Sequence, residues 1–311
     1  MPGRGSAGRG VSKGRPAPRA GGGGGAKGGR IASGDNRVGR PSREPKGIGG
    51  EQVEGRQAVR ELLLAGRRKV KDLWISEDVE HADVITEIER LAARAKVPVR
   101  YVPRGRLERE ARTDAVQGVL AHAAALPEAD LAALVADPRA FLVLLDGVTD
   151  PHNLGAVLRS AEFAGATGAV LPRHRAAHVT PTVAKASAGA VEHVPLAIVP
   201  GLPTALMRLG EAGVWRVGLD QDASRSLDDL GRGLGMRPVA LVLGAEGSGL
   251  SRLARERCDE VVRIPRAGQV GSLNVAAAAA IALNEVARTR RAAGFVRIEA
   301  EGNGAEPEIS G

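Results

Sequence analysis

FLVLLDGVTDPHNLG, Phe141–Gly155, reads as a strand, a polar loop and the first turn of a helix. Phe141–Leu145 is an unbroken apolar run, the pattern of a strand covered on both faces. Asn153 is a residue type suited to capping a helix, and helical spacing continues over Leu154–Ala164. The same alternation repeats downstream. Short apolar runs at Ala169–Leu171, Val194–Ile198, Val214–Leu219, Val239–Leu243 and Val261–Ile264 are separated by helical stretches at Thr182–Ala188, Pro203–Ala212, Leu250–Glu256 and Leu273–Arg291. This predicts an α/β domain over 140–295 built on a mostly parallel sheet.

Upstream, residues 48–122 carry helical spacing at Arg56–Ala65 and Val84–Ala95, with strand runs at Leu73–Ile75, Pro98–Val102 and Gly118–Ala121. They predict a second, small α/β domain. Residues 123–139, with Pro127 and Pro138, read as a linker holding one short helix. Residues 1–47 hold eleven Lys/Arg against Asp35 and Glu44, more than the whole chain's net +8, so the remainder is slightly acidic. With the run Gly21–Gly25 and almost no large apolar side chains, this tail cannot offset its ordering entropy and is expected to be disordered. A flexible polycation favours phosphate-rich partners. Residues 296–311 are expected to be a flexible C-terminus.

One cysteine, Cys258, excludes an intramolecular disulfide framework and a cysteine-cluster zinc site. No apolar run is long enough to span a membrane, and the basic tail lacks the apolar core of a signal peptide. The expected location is cytoplasmic.

Three loops after strands concentrate polar and glycine residues. The first is Asp146–Gly155, leading into a helix that carries Arg159 and Glu162, three residues apart and able to pair on its surface. The second, LGAEGSGL (Leu243–Leu250), places Glu246 where a following helix dipole would favour it. Its glycines either admit a ligand to the backbone or make a tight turn. Their G-x-x-G-x-G order is not the dinucleotide fingerprint, and no Walker-type loop is present, which excludes a nucleotide-dependent oxidoreductase. The third, IPRAGQVGSLN (Ile264–Asn274), offers Ser272 or Asn274 as cap of the last helix.

Taken together, N-L-G-x-x-x-R-S, L-G-x-E-G-x-G and I-P…S-L-N resemble the motifs of the SpoU/TrmH class of the SPOUT methyltransferases, over roughly residues 48–291. Within that class the chain most resembles bacterial enzymes that methylate a guanosine ribose of 23S ribosomal RNA. The resemblance implies a trefoil-knotted α/β domain acting as a homodimer, with S-adenosylmethionine held by backbone groups near Gly244, Ile264 and Leu273. It places functional side chains at Asn153, Arg159, Glu246, Ser272 and Asn274, with no metal. It also makes residues 48–122 a ribosomal-protein-like RNA-binding domain. There the segment Ala115-Val116-Gln117-Gly118-Val119 departs from relatives that often have His before the Gln.

A sulfonium methyl is already activated, so the enzyme's task is in-line positioning and relief of the 2′-hydroxyl proton. Arg159 is expected to stabilise the developing alkoxide and hold a neighbouring phosphate. An Arg pKa above about 12 disfavours literal proton abstraction. Asn153, Ser272 and Asn274 would orient the ribose and Arg159, and Glu246 would fix Arg159 or a ligand group. The same chemistry on transfer RNA or on an antibiotic-resistance site, and a non-catalytic RNA-binding or ribosome-assembly protein, are the alternatives.

Overall fold

The computed structural model describes residues 48–174, 178–269 and 271–294, with only the backbone of Arg232. The expected disordered tail and flexible C-terminus lie outside the described residues.

The N-terminal half runs β1 (Gln52–Glu54), α1 (Arg56–Ala65), β2 (Val70–Ser76), α2 (Asp83–Arg94), β3 (Val99–Val102), α3 (Arg104–Glu110) and β4 (Val119–Ala123). Its four strands are ordered β1-β4-β2-β3. β4 is antiparallel to both β1 and β2, whereas β2 and β3 are parallel. α1 buries Ala58, Val59, Leu62 and Leu63, and α2 buries Ile85, Ile88, Leu91 and Ala92, the stripes expected of helices covering one sheet face. β1 and α3 are elements that the apolar pattern did not indicate.

After α4 (Leu131–Ala136), the second half comprises β5 (Phe141–Asp146), α5 (Pro151–Phe163), β6 (Gly168–Pro172), α6 (Pro181–Ala186), β7 (Leu196–Val199), α7 (Leu202–Glu211), β8 (Trp215–Leu219), β9 (Arg225–Ser226), β10 (Val239–Gly244), α8 (Arg252–Glu256), β11 (Glu260–Arg263) and α9 (Val275–Ala292). A short 3₁₀ turn at Ala190–Glu192 precedes β7, and a longer one at Leu227–Gly235 follows β9. The seven strands are ordered β7-β6-β5-β10-β8-β11-β9, and every neighbouring pair is parallel. β5 and β10 bury their first five residues each, which explains their unbroken apolar sequences.

From β5 the chain steps outward to β6 and β7, then crosses to the other side, where β10 inserts between β5 and β8. Strand order reverses at β5/β10. A crevice opens at such a reversal, beyond the carboxyl ends of the strands. Asp146 and Gly244 are register partners there, so the first two polar loops leave the sheet side by side.

One of three clusters of buried apolar residues among the described residues reaches from Val53 and Leu62 in the first half to Leu241 and Val286 in the second. The halves are also clasped by Arg68, whose guanidinium pairs with Glu192 and donates to the Ala124 carbonyl at 2.7 Å. α9 is tied back to the start of β5 by Arg290, which donates to the carbonyls of Arg139 (2.7 Å) and Ala140 (2.8 Å). Burial lowers the Arg290 guanidinium to about 10, which leaves it charged at neutral pH.

Candidate active site

The helix after the first loop is capped by Asp150, not by Asn153. Asp150 accepts from the backbone N–H of His152 (3.3 Å) and Asn153 (3.0 Å), and Pro151 follows at the first helical position. Asn153 is therefore the third residue of α5, and its side chain is free for other partners. Its Nδ2 donates to Glu246 Oε2 at 3.5 Å, and its Oδ1 accepts from Asn274 Nδ2 at 3.0 Å. Asn274 in turn caps α9, accepting from the Ala276 N–H at 2.9 Å. One asparagine serves two ends: its oxygen starts the last helix, and its amide joins a residue 121 positions earlier.

The second loop is a tight turn closed on itself. Ala245 and Gly249 exchange backbone hydrogen bonds of 3.1 and 2.9 Å. A Cβ on Gly244 would stand 2.1 Å from the Gly249 carbonyl carbon, and Gly247 has φ +82°. These glycines serve the turn's own backbone. α8 begins only at Arg252, capped by Ser251, so Glu246 does not sit at a helix mouth as expected but at an exposed turn tip. Asp146, at the end of β5, accepts from the Ser251 N–H at 2.7 Å and locks the first loop to the second.

The third loop is braced by Arg266, which donates to the Gly271 carbonyl at 2.9 Å. Ser272 is exposed and is not the cap.

Together the second and third loops and the end of β8 enclose a cleft of about 840 Å³. Gly244, Glu246, Ile264, Ser272 and Leu273 all line it. Asn153 joins it through Glu246, and Asn274 through Asn153. Leu273 is 50 % exposed within it, an apolar surface left open beside peptide groups and polar side chains. Volume and mixed lining suit a nucleoside-sized ligand. The residues present thus fit S-adenosylmethionine: an apolar wall for the adenine, with loop backbone and polar side chains for its hydrogen-bonding groups.

Arg159 is placed differently. It lies six residues beyond Asn153 on α5, about 9 Å along the helix, and does not line the cleft of its own chain. It is exposed, and among the described residues neither it nor Glu162 has an ion-pair partner, so the two do not form the surface pair that their spacing allows. Phe163, on the next turn, is 88 % exposed. Gly155, one turn before Arg159, permits α5 to lie directly on α6: a Cβ there would stand 2.5 Å from that of Ala186.

Sequence reasoning missed Asp146, Asp150 and Arg266 as organisers of the three loops. The Asp-Pro step at Asp150 was the available signal for the cap. It also missed Asp220, a cleft residue paired with Arg255. Cys258 is pushed up to about 12 by burial, so its thiol is protonated and inert. Among the described residues, no group of three or more His, Cys, Asp or Glu could hold a metal ion, and no helix is long and apolar enough to cross a membrane.

Residues 140–284 match the SpoU rRNA Methylase family, and residues 52–129 match the RNA 2′-O ribose methyltransferase substrate-binding family. The chain is 40 % identical over 249 residues to the TrmH-family protein YacO of Bacillus subtilis, covering 78 % of this chain and 98 % of that one. It is 39 % identical over 250 residues to the 23S rRNA (guanosine-2′-O-)-methyltransferase RlmB of Pseudomonas putida, covering 78 % and 97 %. Among solved structures, the SpoU methyltransferase AviRb of Streptomyces viridochromogenes in complex with AdoMet superposes with a TM-score of 0.64 at 27 % identity, covering 78 % of this chain and 90 % of that one. The chain belongs to the SpoU rRNA methylase family and is an S-adenosylmethionine-dependent RNA 2′-O-methyltransferase.

Proposed function

We propose that the chain methylates the ribose 2′-hydroxyl of a guanosine in 23S ribosomal RNA, in the cytoplasm, as a homodimer. The observation that carries the catalytic assignment is the bonded set Asn274–Asn153–Glu246, which joins three loops at one cleft. The choice of a 23S guanosine rests on the likeness to the Pseudomonas putida enzyme.

Gly244, Ile264 and Leu273 would hold the cofactor, which when bound supplies an electrophilic methyl. Asn153 and Asn274 orient the target ribose through their fixed amides, and Ser272 adds a hydroxyl from the third loop. Glu246 fixes the Asn153 amide. Arg159, outside the cleft of its own chain, would reach the ribose across the dimer, where it stabilises the alkoxide as it forms and grips the adjacent phosphate, the proton leaving through water. Its exposure, with no ion pair among the described residues, leaves its five donors available for RNA. Dimerisation is supported by Phe163 and Ile281, large apolar side chains exposed on α5 and α9, the two helices adjoining the site.

Mapping 2′-O-methyl groups in RNA from a deletion strain tests the reading. One guanosine of 23S RNA should lose its methyl, regain it with the wild-type chain, and not with Arg159→Ala, which should still bind S-adenosylmethionine. Loss of a transfer-RNA methyl instead would reassign the substrate. Sedimentation should give twice the 32.1 kDa chain mass.

A further inference from the structure

The N-terminal half carries a second concavity of about 720 Å³, between α3, the loop after β2 and the loop 111–118. It shares no residue with the methyl-transfer cleft. Its rim is held by a buried charge. Glu54, fully buried, accepts from the backbone N–H groups of Arg112 (2.7 Å) and Thr113 (3.0 Å), from the Thr113 hydroxyl (2.5 Å) and from Gln52 Nε2 (2.8 Å).

Farther along, Gln117 is in the left-handed region at φ +56°, which is costly for a residue with a Cβ and persists only where surroundings enforce it. Here Arg56 enforces it: its N–H donates to Gln117 Oε1 (3.1 Å) and its Nε to the Gln117 carbonyl (3.2 Å). Lys185 of α6 donates to the Ala115 carbonyl. Two helices and one buried carboxylate thus shape a loop of polar side chains.

The charges of this concavity decide what it suits. Arg104 is paired with Glu108 at 2.8 Å, Arg56 is engaged through Nε with the Gln117 carbonyl and Asp78 accepts from the Ser76 hydroxyl, while Arg112, Glu80 and Asp114 also line the concavity. A track for phosphates would not carry three carboxylates, because each repels the backbone. A nucleobase presents donors and acceptors together. Guanine alone offers two adjacent donors, N1–H and N2–H₂, to a carboxylate and two adjacent acceptors, O6 and N7, to a guanidinium.

We propose that this concavity reads an unpaired guanine of the substrate RNA, a nucleotide other than the one methylated. The proposal rests on the RNA-methyltransferase reading and names the part of the substrate held by the N-terminal half. Packed residues connect the two places. Lys185, which anchors the rim, precedes Ala186, against which Gly155 packs, and Asn153 lies two residues from Gly155.

The test uses the full chain, S-adenosylmethionine and a methyl-accepting fragment of ribosomal RNA. Each unpaired guanosine outside the target is replaced in turn by inosine, which lacks the N2 amine. One replacement should raise the RNA KM of the wild type about tenfold, and that of Asp114→Asn less than twofold. Arg112→Ala should raise KM for the unmodified fragment about tenfold with kcat and cofactor affinity unchanged. Both side chains are exposed, and the Glu54 bond to residue 112 is made by its backbone, so folding is not at stake. KM within twofold of wild type for both variants, or equal inosine sensitivity in wild type and Asp114→Asn, would overturn the guanine site alone. Absence of methyl transfer by the wild type to any ribosomal RNA would overturn the functional reading beneath it.

Discussion

Asn153 shows how one residue's role depends on its neighbour. Because Asp150 caps α5, the Asn153 side chain is released from local bonding and spans the first loop to Glu246 and Asn274. Read in isolation, an Asn at a helix start is a cap, which is why the sequence left its role open. Asn153→Ala removes a donor to Glu246 and an acceptor for Asn274 but leaves the cap intact. Stability should fall by only about 1 kcal/mol, since the bonds broken are exposed. Transfer should fall about a hundredfold, because positioning lost at a reacting centre is costly. Single-turnover methyl transfer beside thermal unfolding separates the two. A turnover equal to wild type would remove the amide from the mechanism.

Elements were legible to the extent that burial shaped their composition. β5 and β10, buried on both faces, and α2, with one clean stripe, are displaced from their expected bounds by a residue or so. β1 escaped because two of its three residues, Gln52 and Glu54, are polar and buried, satisfied by bonds to residues more than fifty positions away. α3 escaped because Leu107 is its sole buried residue. The motif glycines were visible but their purpose was not, since it lies in contacts between elements. Gly155 is the test. A Cβ there would stand 2.5 Å from Ala186 Cβ and 2.9 Å from the Ser187 nitrogen, so α5 and α6 would have to separate. Gly155→Ala, ordinarily helix-favouring, should therefore destabilise by about 1–3 kcal/mol in a urea titration. A stabilised variant would mean that the two helices can part at no cost.

At the scale of the whole molecule, the relation of the two halves depends on a pairing that no local pattern could reveal, between residues 124 apart. The Arg68 and Glu192 side chains are 3 % and 1 % exposed. Arg68 also donates to the carbonyls of Gly50 and Ala124 at the ends of the first half, and Arg67 donates to the Glu192 carbonyl at 2.9 Å. A buried pair gains little over apolar residues of equal size, because desolvation opposes the attraction. Removing one partner is different, since the other charge stays buried alone. Arg68→Ala should thus cost about 3–5 kcal/mol, whereas Arg68→Met with Glu192→Leu should recover much of it. The recovered double variant isolates geometry from stability. Without the carbonyl bonds of Arg68, the N-terminal half loses part of what fixes its orientation, so RNA KM should rise while cofactor affinity does not. Calorimetry and RNA titration of the three chains decide it. If the double variant matches wild type in KM, the clasp contributes to stability alone, and the apolar core shared by the halves is sufficient to orient them.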